Sequence, residues 1–423
     1  MPKPLWIKNA SQLATLAYIQ QKGPRTKEAM SELGLIENGS LWIENGIIQA
    51  VGTTNELEQK FSTRLHEAEI YDASNLLITP GLVDPHTHVV YGGSREREFE
   101  MRLEGTSYMD IMNNGGGIHA TARMTREATE EELIEQTIKR LDSFLKHGVT
   151  TVEGKSGYGM NLETEFKQLK VMKELQKQHP IDLVSTFMGA HAVPPEYKGR
   201  EDEFVDYLIN VMLPKVANEN LAEFNDVFCE KGVYTPEQSE RILEAGKRYG
   251  LIPKIHADEI EAYGGAELAA KVGAISAEHL LKASDEGIKE MAEAGVIACL
   301  LPATALYLRE EAAKGRKMVD AGVPVAISTD CNPGSSPTTS MPLVMNLACI
   351  SMRLTPAEAL TAATYNAACA IKREHIVGSL EVGKQADVVL WNVEDYRQLQ
   401  YIFGVNHVKT VWKKGVQVVN HSG

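Results

Sequence analysis

The chain reads as an α/β protein, a (β/α)8 barrel of the TIM type with a small β-sandwich domain built from both chain ends. Three observations predict this. Eight short apolar runs alternate with amphipathic helical patterns through the middle of the 423 residues, the order of a parallel sheet closed by crossover helices. β-branched runs separated by Gly-containing turns crowd both ends. Histidines and an aspartate able to grip a metal stand where apolar runs stop, and barrels carry their chemistry at the C-terminal ends of their strands.

The first segment reads as β. Asn38-Gly39 and Asn45-Gly46 bracket a strand at 40–44, and 47–51 follows, the spacing of tight hairpins. Runs at 70–71 and 76–79 lead to Pro80-Gly81. The C-terminus has the same texture at 386–391, 408–412 and 416–419, the last two joined across Lys413-Lys414-Gly415. Residues 1–79 and 378–423 are therefore expected to form two parts of one small β-domain, with the barrel at 80–377.

Barrel strands are expected at 82–84, 149–153, 183–188, 226–229, 252–256, 275–279, 296–301 and 324–328. The helix before the second strand shows how the gaps are filled. Thr129-x-x-Glu132 is a capping box, and Leu133, Ile134, Ile138, Leu141 and Leu145 recur at helical spacing up to His147-Gly148. Two connections are long, 91–126 with Gly115-Gly116-Gly117, and 331–342, rich in Gly, Pro, Ser and Thr. Both leave the C-terminal ends of strands, where long loops serve as substrate covers.

Composition removes several classes of partner. A net charge of −14 argues against nucleic acid and anionic membranes. No run approaches the roughly 18 apolar residues of a membrane span. No basic start followed by an apolar segment reads as a secretory signal. The five cysteines are scattered, odd in number and without a CxxC pair, so a reducing cytoplasm is expected. An anionic substrate would need local cations against this global charge.

His86 and His88, two residues apart at the end of an apolar run, point to one side of a strand and can grip one ion. His256, His279 and Asp330 each end a later run. Imidazole nitrogen with a carboxylate oxygen suits zinc, and iron as well. In this company the chain resembles the amidohydrolase superfamily nearly end to end. Pro80-Gly-Leu-Val-Asp-Pro-His-Thr-His88 is similar to its opening motif, and Gly378 to Trp391 to its return into the β-domain. A narrower resemblance lies in Tyr91 to Phe99, Glu153 to Gly159, Phe187 to Ala192 and Ser328 to Ser335. It points to members that hydrolyse the cyclic amide C–N bond of 4-imidazolone-5-propanoate to N-formimidoyl-L-glutamate in histidine degradation.

The resemblance implies one Zn2+ or Fe ion held by His86, His88, His256 and Asp330. Two-metal members add a carboxylated lysine. Lys231 and Lys155 lie near strand ends, yet each reads better as a cation paired with a carboxylate such as Glu230 or Glu153, because four ligands complete a one-metal site.

Cyclic amide hydrolysis needs an activated water, a polarised carbonyl and a proton for the leaving nitrogen. Asp330 can accept the water's proton, Glu259, three residues after His256, can shuttle one, and His279 can orient the water or stabilise the oxyanion. The propionate needs a cation. Arg95 belongs to the charge run Arg95-Glu-Arg-Glu98, which alone reads as a solvated face; the resemblance assigns it and Tyr158 to substrate. Tyr108 is a further candidate there, His191 can bond the ring, and Asn332, Gly334 and Ser335 can present polar groups to ring and product.

Two other readings compete. A mononuclear deaminase of the same superfamily, acting on a guanine- or cytosine-like ring, would use the same metal and acid but no carboxylate clamp. A barrel that has lost catalysis and serves assembly would first lose its ligands, and here the set is complete. The resemblance is the only ground for expecting a homodimer.

Overall fold

The computed structural model describes residues 3–17, 22–106, 110–111 and 115–421. The N-terminal segment supplies β1 (Leu5–Ala14), β2 (Leu35–Glu44), β3 (Ile47–Thr53), β4 (Glu69–Asp72) and β5 (Leu77–Pro80). Eight parallel strands then follow in chain order, each hydrogen-bonded to the next. They are β6 (Leu82–Thr87), β7 (Val149–Lys155), β8 (Asp182–Ala190), β9 (Phe224–Cys229), β10 (Ile252–Ala257), β11 (Ser276–His279), β12 (Ile297–Leu300) and β13 (Val325–Ile327). The C-terminal segment adds β14 (Val388–Trp391), β15 (Val408–Lys413) and β16 (Val416–Asn420).

Both chain ends meet in one mixed sheet. β5 pairs antiparallel with β14, Leu77 opposite Trp391 and Pro80 opposite Val388. Alternation divides its apolar residues between two faces. Ile7, Leu41 and Ile78 pack in one cluster, and Trp6, Trp42 and Leu57 in another. Asn45-Gly46 turns β2 into β3 as the sequence predicts. Asn38-Gly39 does not turn: β2 runs straight through it, with Gly39 opposite Ala10. A Cβ on Gly39 would lie 2.3 Å from that of Leu13, so this glycine serves close strand contact.

Backbone and side-chain bonds join the end of β13 and the loop after it to β6. Thr87 bridges Cys331, whose carbonyl accepts from His88 N at 3.0 Å. Buried Asp84 on β6 accepts from Ser328 Oγ, from Thr329 Oγ1 at 2.6 Å and from Thr329 N at 3.3 Å. The helix Glu130–Lys146 starts at the expected box, with Thr129 Oγ1 accepting from Glu132 N and Glu132 Oε2 from Thr129 N. Among the described residues, no helix is long and apolar enough to cross a membrane.

Candidate metal centre and active site

The strand ends bring the predicted histidines together. His86 Nε2 lies 3.3 Å from Asp330 Oδ1, and His88 Nε2 3.8 Å from the same oxygen. The His256 ring centre is 4.5 Å from that of His86 and 5.2 Å from that of His279. Single donor atoms of His86, His88 and Asp330 lie within 4.8 Å of one another, as do those of His86, His256 and His279. Asp330 and His279 have φ of 52° and 70°, so the chain leaves both strands through left-handed turns. Such strained positions cluster at functional sites.

Carboxylates fix the ring tautomers. His86 Nδ1 lies 2.8 Å from Glu278 Oε2, and His256 Nδ1 3.1 Å from Asp226 Oδ1. A charged carboxylate only accepts, so Nδ1 carries the proton and Nε2 offers a lone pair. Both Nε2 atoms are buried without a hydrogen-bond partner in the protein. Burial, reinforced by neighbouring cations, holds His86, His88 and His279 well below the usual imidazole range. Neutral rings with orphaned, converging lone pairs fit a divalent cation.

The barrel interior beneath is charged. Lys155 Nζ lies 2.8 Å from both Glu153 Oε1 and Asp226 Oδ2, and Lys254 Nζ 3.7 Å from Glu153 and Glu278. Two ammonium groups balance two of these three carboxylates. The third, together with Asp330, leaves charge for a divalent ion. Burial opposes the charge on Lys155, but Asp226 and Glu153 outweigh it and hold its pKa above the ordinary value. Lys155 is thus paired with Glu153, as the sequence suggests, and with Asp226 as well. Lys231 is exposed and pairs with Glu261 at 2.9 Å rather than with Glu230. Glu230 instead accepts from the backbone N of Glu259 and Ile260, at 3.1 and 2.9 Å.

A cavity of about 470 Å³ opens over the histidines and is lined by every described candidate for substrate contact. Arg95 Nε donates to Glu98 Oε2 at 2.9 Å. His191 stacks on His88 with ring centres 4.7 Å apart and planes 12° apart. The Tyr158 ring centre is 5.6 Å from that of His88, and burial raises its phenol well above the usual range. Asn332 Oδ1 accepts from the N of Gly334 and of Ser335, both at 2.8 Å, so its carboxamide shapes the loop that carries them. Glu259 Oε1 lies 3.5 Å from His279 Nδ1. Burial first, then Asp330 and Glu230, push the Glu259 carboxyl up to about 8. Burial pushes Asp330 up to about 6 against the 2.7 Å bond from Thr304 Oγ1. Tyr108 lies outside the described residues.

Sequence reasoning missed Asp226, Glu278 and Lys254, and also Arg102 on the cavity wall. The signal for the first three was present: a charge inside an apolar strand run, two residues from a ligand in the case of Lys254.

Residues 77–418 match the Amidohydrolase family. An imidazolonepropionase from Brevibacillus brevis is 65% identical over 419 residues, covering 99% of each chain. The chain belongs to the imidazolonepropionase family of amidohydrolases. Other imidazolonepropionases, from Geobacillus kaustophilus and Shouchella clausii, are 63% and 55% identical, each over 99% of this chain, covering 98% and 94% of their own lengths. The amidohydrolase fold recurs in solved structures. E. coli guanine deaminase aligns with a TM-score of 0.72 at 15% identity over 100% of both chains. An adenosine deaminase from Xanthomonas campestris with bound zinc gives 0.69 at 20% identity, over 98% of this chain and 93% of that one.

Proposed function

We propose that the protein hydrolyses the cyclic amide C–N bond of 4-imidazolone-5-propanoate, giving N-formimidoyl-L-glutamate in histidine degradation. Full-length identity of 65% to an imidazolonepropionase is the observation that carries this reading. We take the barrel as 80–377 and the β-domain as 1–79 with 378–423, a division supported by the sheet that β1–β5 and β14–β16 share. Free cysteines support a cytoplasmic location.

His86, His88, His256 and Asp330 would hold one Zn2+ or Fe ion, by the converging lone pairs described above. When bound, such an ion lowers the pKa of water toward about 7 and polarises a carbonyl. The remaining chemistry belongs to the chain. Asp330 takes the proton of the attacking water. His279, kept neutral by burial, presents an N–H to the oxyanion that forms at the ring carbonyl. Glu259 is protonated at neutral pH and delivers its proton to the ring nitrogen as the C–N bond breaks. His191, stacked on His88, forms a flat wall for the ring. Arg95 and Tyr158 receive the propionate, and Gly334 and Ser335 line the product side on the loop shaped by Asn332.

The deaminase reading needs no cation in the cavity, yet Arg95 and Arg102 both line it. The deaminase structures share the fold at 15–20% identity, and that likeness extends to fold alone. A panel of imidazolone propionate, hydantoin, dihydroorotate, cytosine and guanine, followed by loss of ring absorbance, tests the assignment. The first compound should be turned over fastest. Preference for guanine or cytosine would replace this reading with the deaminase one.

A further inference from the structure

The charged barrel interior has a use beyond filling space. Buried charges are costly, and a pair of them is weak evidence for stability. A lysine fully enclosed by two carboxylates therefore calls for a reason. Lys155 and its partners Glu153 and Asp226 are each completely buried. β7 supplies both Glu153 and Lys155, two residues apart, and β9 supplies Asp226.

Asp226 spends its two oxygens differently. Oδ2 faces Lys155 Nζ at 2.8 Å, and Oδ1 faces His256 Nδ1 at 3.1 Å. A relay thus runs from the Lys155 ammonium through the Asp226 carboxylate to the His256 ring, whose Nε2 points at the metal position. His86 is held by a similar carboxylate, Glu278, but Lys254 stands farther from it, at 3.7 Å, and donates instead to Pro85 O at 3.0 Å. The His86 arm is closed by the shorter ring–carboxylate contact and by Ser276 Oγ on Glu278, whereas the His256 arm is the one whose carboxylate is backed directly by a lysine.

We infer that Lys155 is a positioning residue for the metal site: it anchors Asp226, and through Asp226 it fixes the tautomer and direction of His256. This rests on the proposed ligand role of His256. Lys155 does not line the cavity, so it acts through its partners. Its charge screens Asp226 from the like-charged Glu153 and holds Oδ2, which leaves Oδ1 for His256.

Outer partners of metal ligands typically contribute about 10–100-fold in metal affinity. The experiment measures Zn2+ affinity of the full-length, metal-stripped protein by chelator competition. The proteins compared are wild type, Lys155→Met, Asp226→Asn and the double variant, each checked for folding by the thermal transition of its metal-free form. The d–d spectrum of the cobalt-loaded proteins reports ligand geometry.

Lys155→Met is expected to weaken Zn2+ binding about 10–100-fold and to alter the cobalt spectrum. The double variant should bind no more weakly than Asp226→Asn alone, because the two act on one path. Wild-type affinity in a folded Lys155→Met protein overturns the inference, as do losses that simply add. Should Lys155→Met fail to fold, Lys155→Arg, which keeps the charge but alters its geometry, replaces it with the same expected non-additivity. Wild type failing to bind Zn2+ would sink the metal-site reading itself, a separate outcome.

Discussion

A Cβ placed on Gly334 would fall 2.1 Å from Nη1 of Arg95. The loop after β13 thus comes so close to the guanidinium that a side chain at 334 would push the fork aside. Arg95 Nε is occupied by Glu98 at 2.9 Å, which aligns the fork against this loop. A solvated charge run in the sequence becomes one wall of the cavity.

The proposed propionate contact makes that wall the determinant of specificity. Charge-assisted hydrogen bonds to a carboxylate contribute roughly 1.5–3 kcal/mol. Arg95→Met should raise KM for imidazolone propionate about ten- to a hundredfold, at about 1.4 kcal/mol per decade. Gly334→Ala displaces the same group and should shift KM in the same direction. Neither should change kcat/KM for a ring analogue without the carboxylate. Equal losses on both compounds would make Arg95 structural.

Glu259→Gln should keep the metal and the fold and lose about 10²–10⁴-fold in kcat. The sign of its pH dependence follows from a carboxyl pushed up to about 8. Below that value it holds the proton that the leaving nitrogen needs, and above it the proton is gone. The kcat of the wild type should therefore fall above about pH 8, and the residual activity of Glu259→Gln should lack that limb. An unchanged limb in the variant assigns it to another group.

Metal content is expected to be one ion per chain by elemental analysis. His256→Ala should lower both content and activity. Lys231→Ala should change neither, since Lys231 is exposed and tied to Glu261. Two ions per chain, reduced to one by changing Lys231, would contradict the one-metal site.

Asp84 links stability to pH in the metal-free protein. Burial pushes its carboxyl up to about 7 in the fold, against about 3.9 unfolded. The folded state holds the proton more tightly, so this contribution is full below the unfolded value and is lost as pH rises through about 7. Asp84→Asn mimics the protonated form. The Tm of wild type relative to the variant should decline from pH 4 toward pH 7. A difference that grows with pH would reverse the assignment.

Much of this was legible in the sequence because strand ends and chemistry coincide. His86 lies on β6 with His88 one residue past its end, and His256, His279 and Asp330 close later apolar runs, so candidate donor residues and strands are read together. The barrel closure was not legible, since Asp84 meets Ser328 and Thr329 across 244 or more residues of chain. Asn38-Gly39 misled because a turn dipeptide and a glycine for close packing look alike along a chain. The Lys155–Asp226 pair was hidden for the same reason as the closure: a charge inside a strand shows that a partner exists, and only the folded barrel says which.

Oxygen-18 tracing of the reaction reads which bond is cleaved. Metal-loaded protein is incubated with 4-imidazolone-5-propanoate in H218O, and the product is read by mass spectrometry. Hydrolysis at the ring carbonyl predicts a product heavier by one water, with a single label in the newly formed carboxylate. Unchanged substrate, or loss of ammonia with the ring intact, would rule out hydrolysis of this bond.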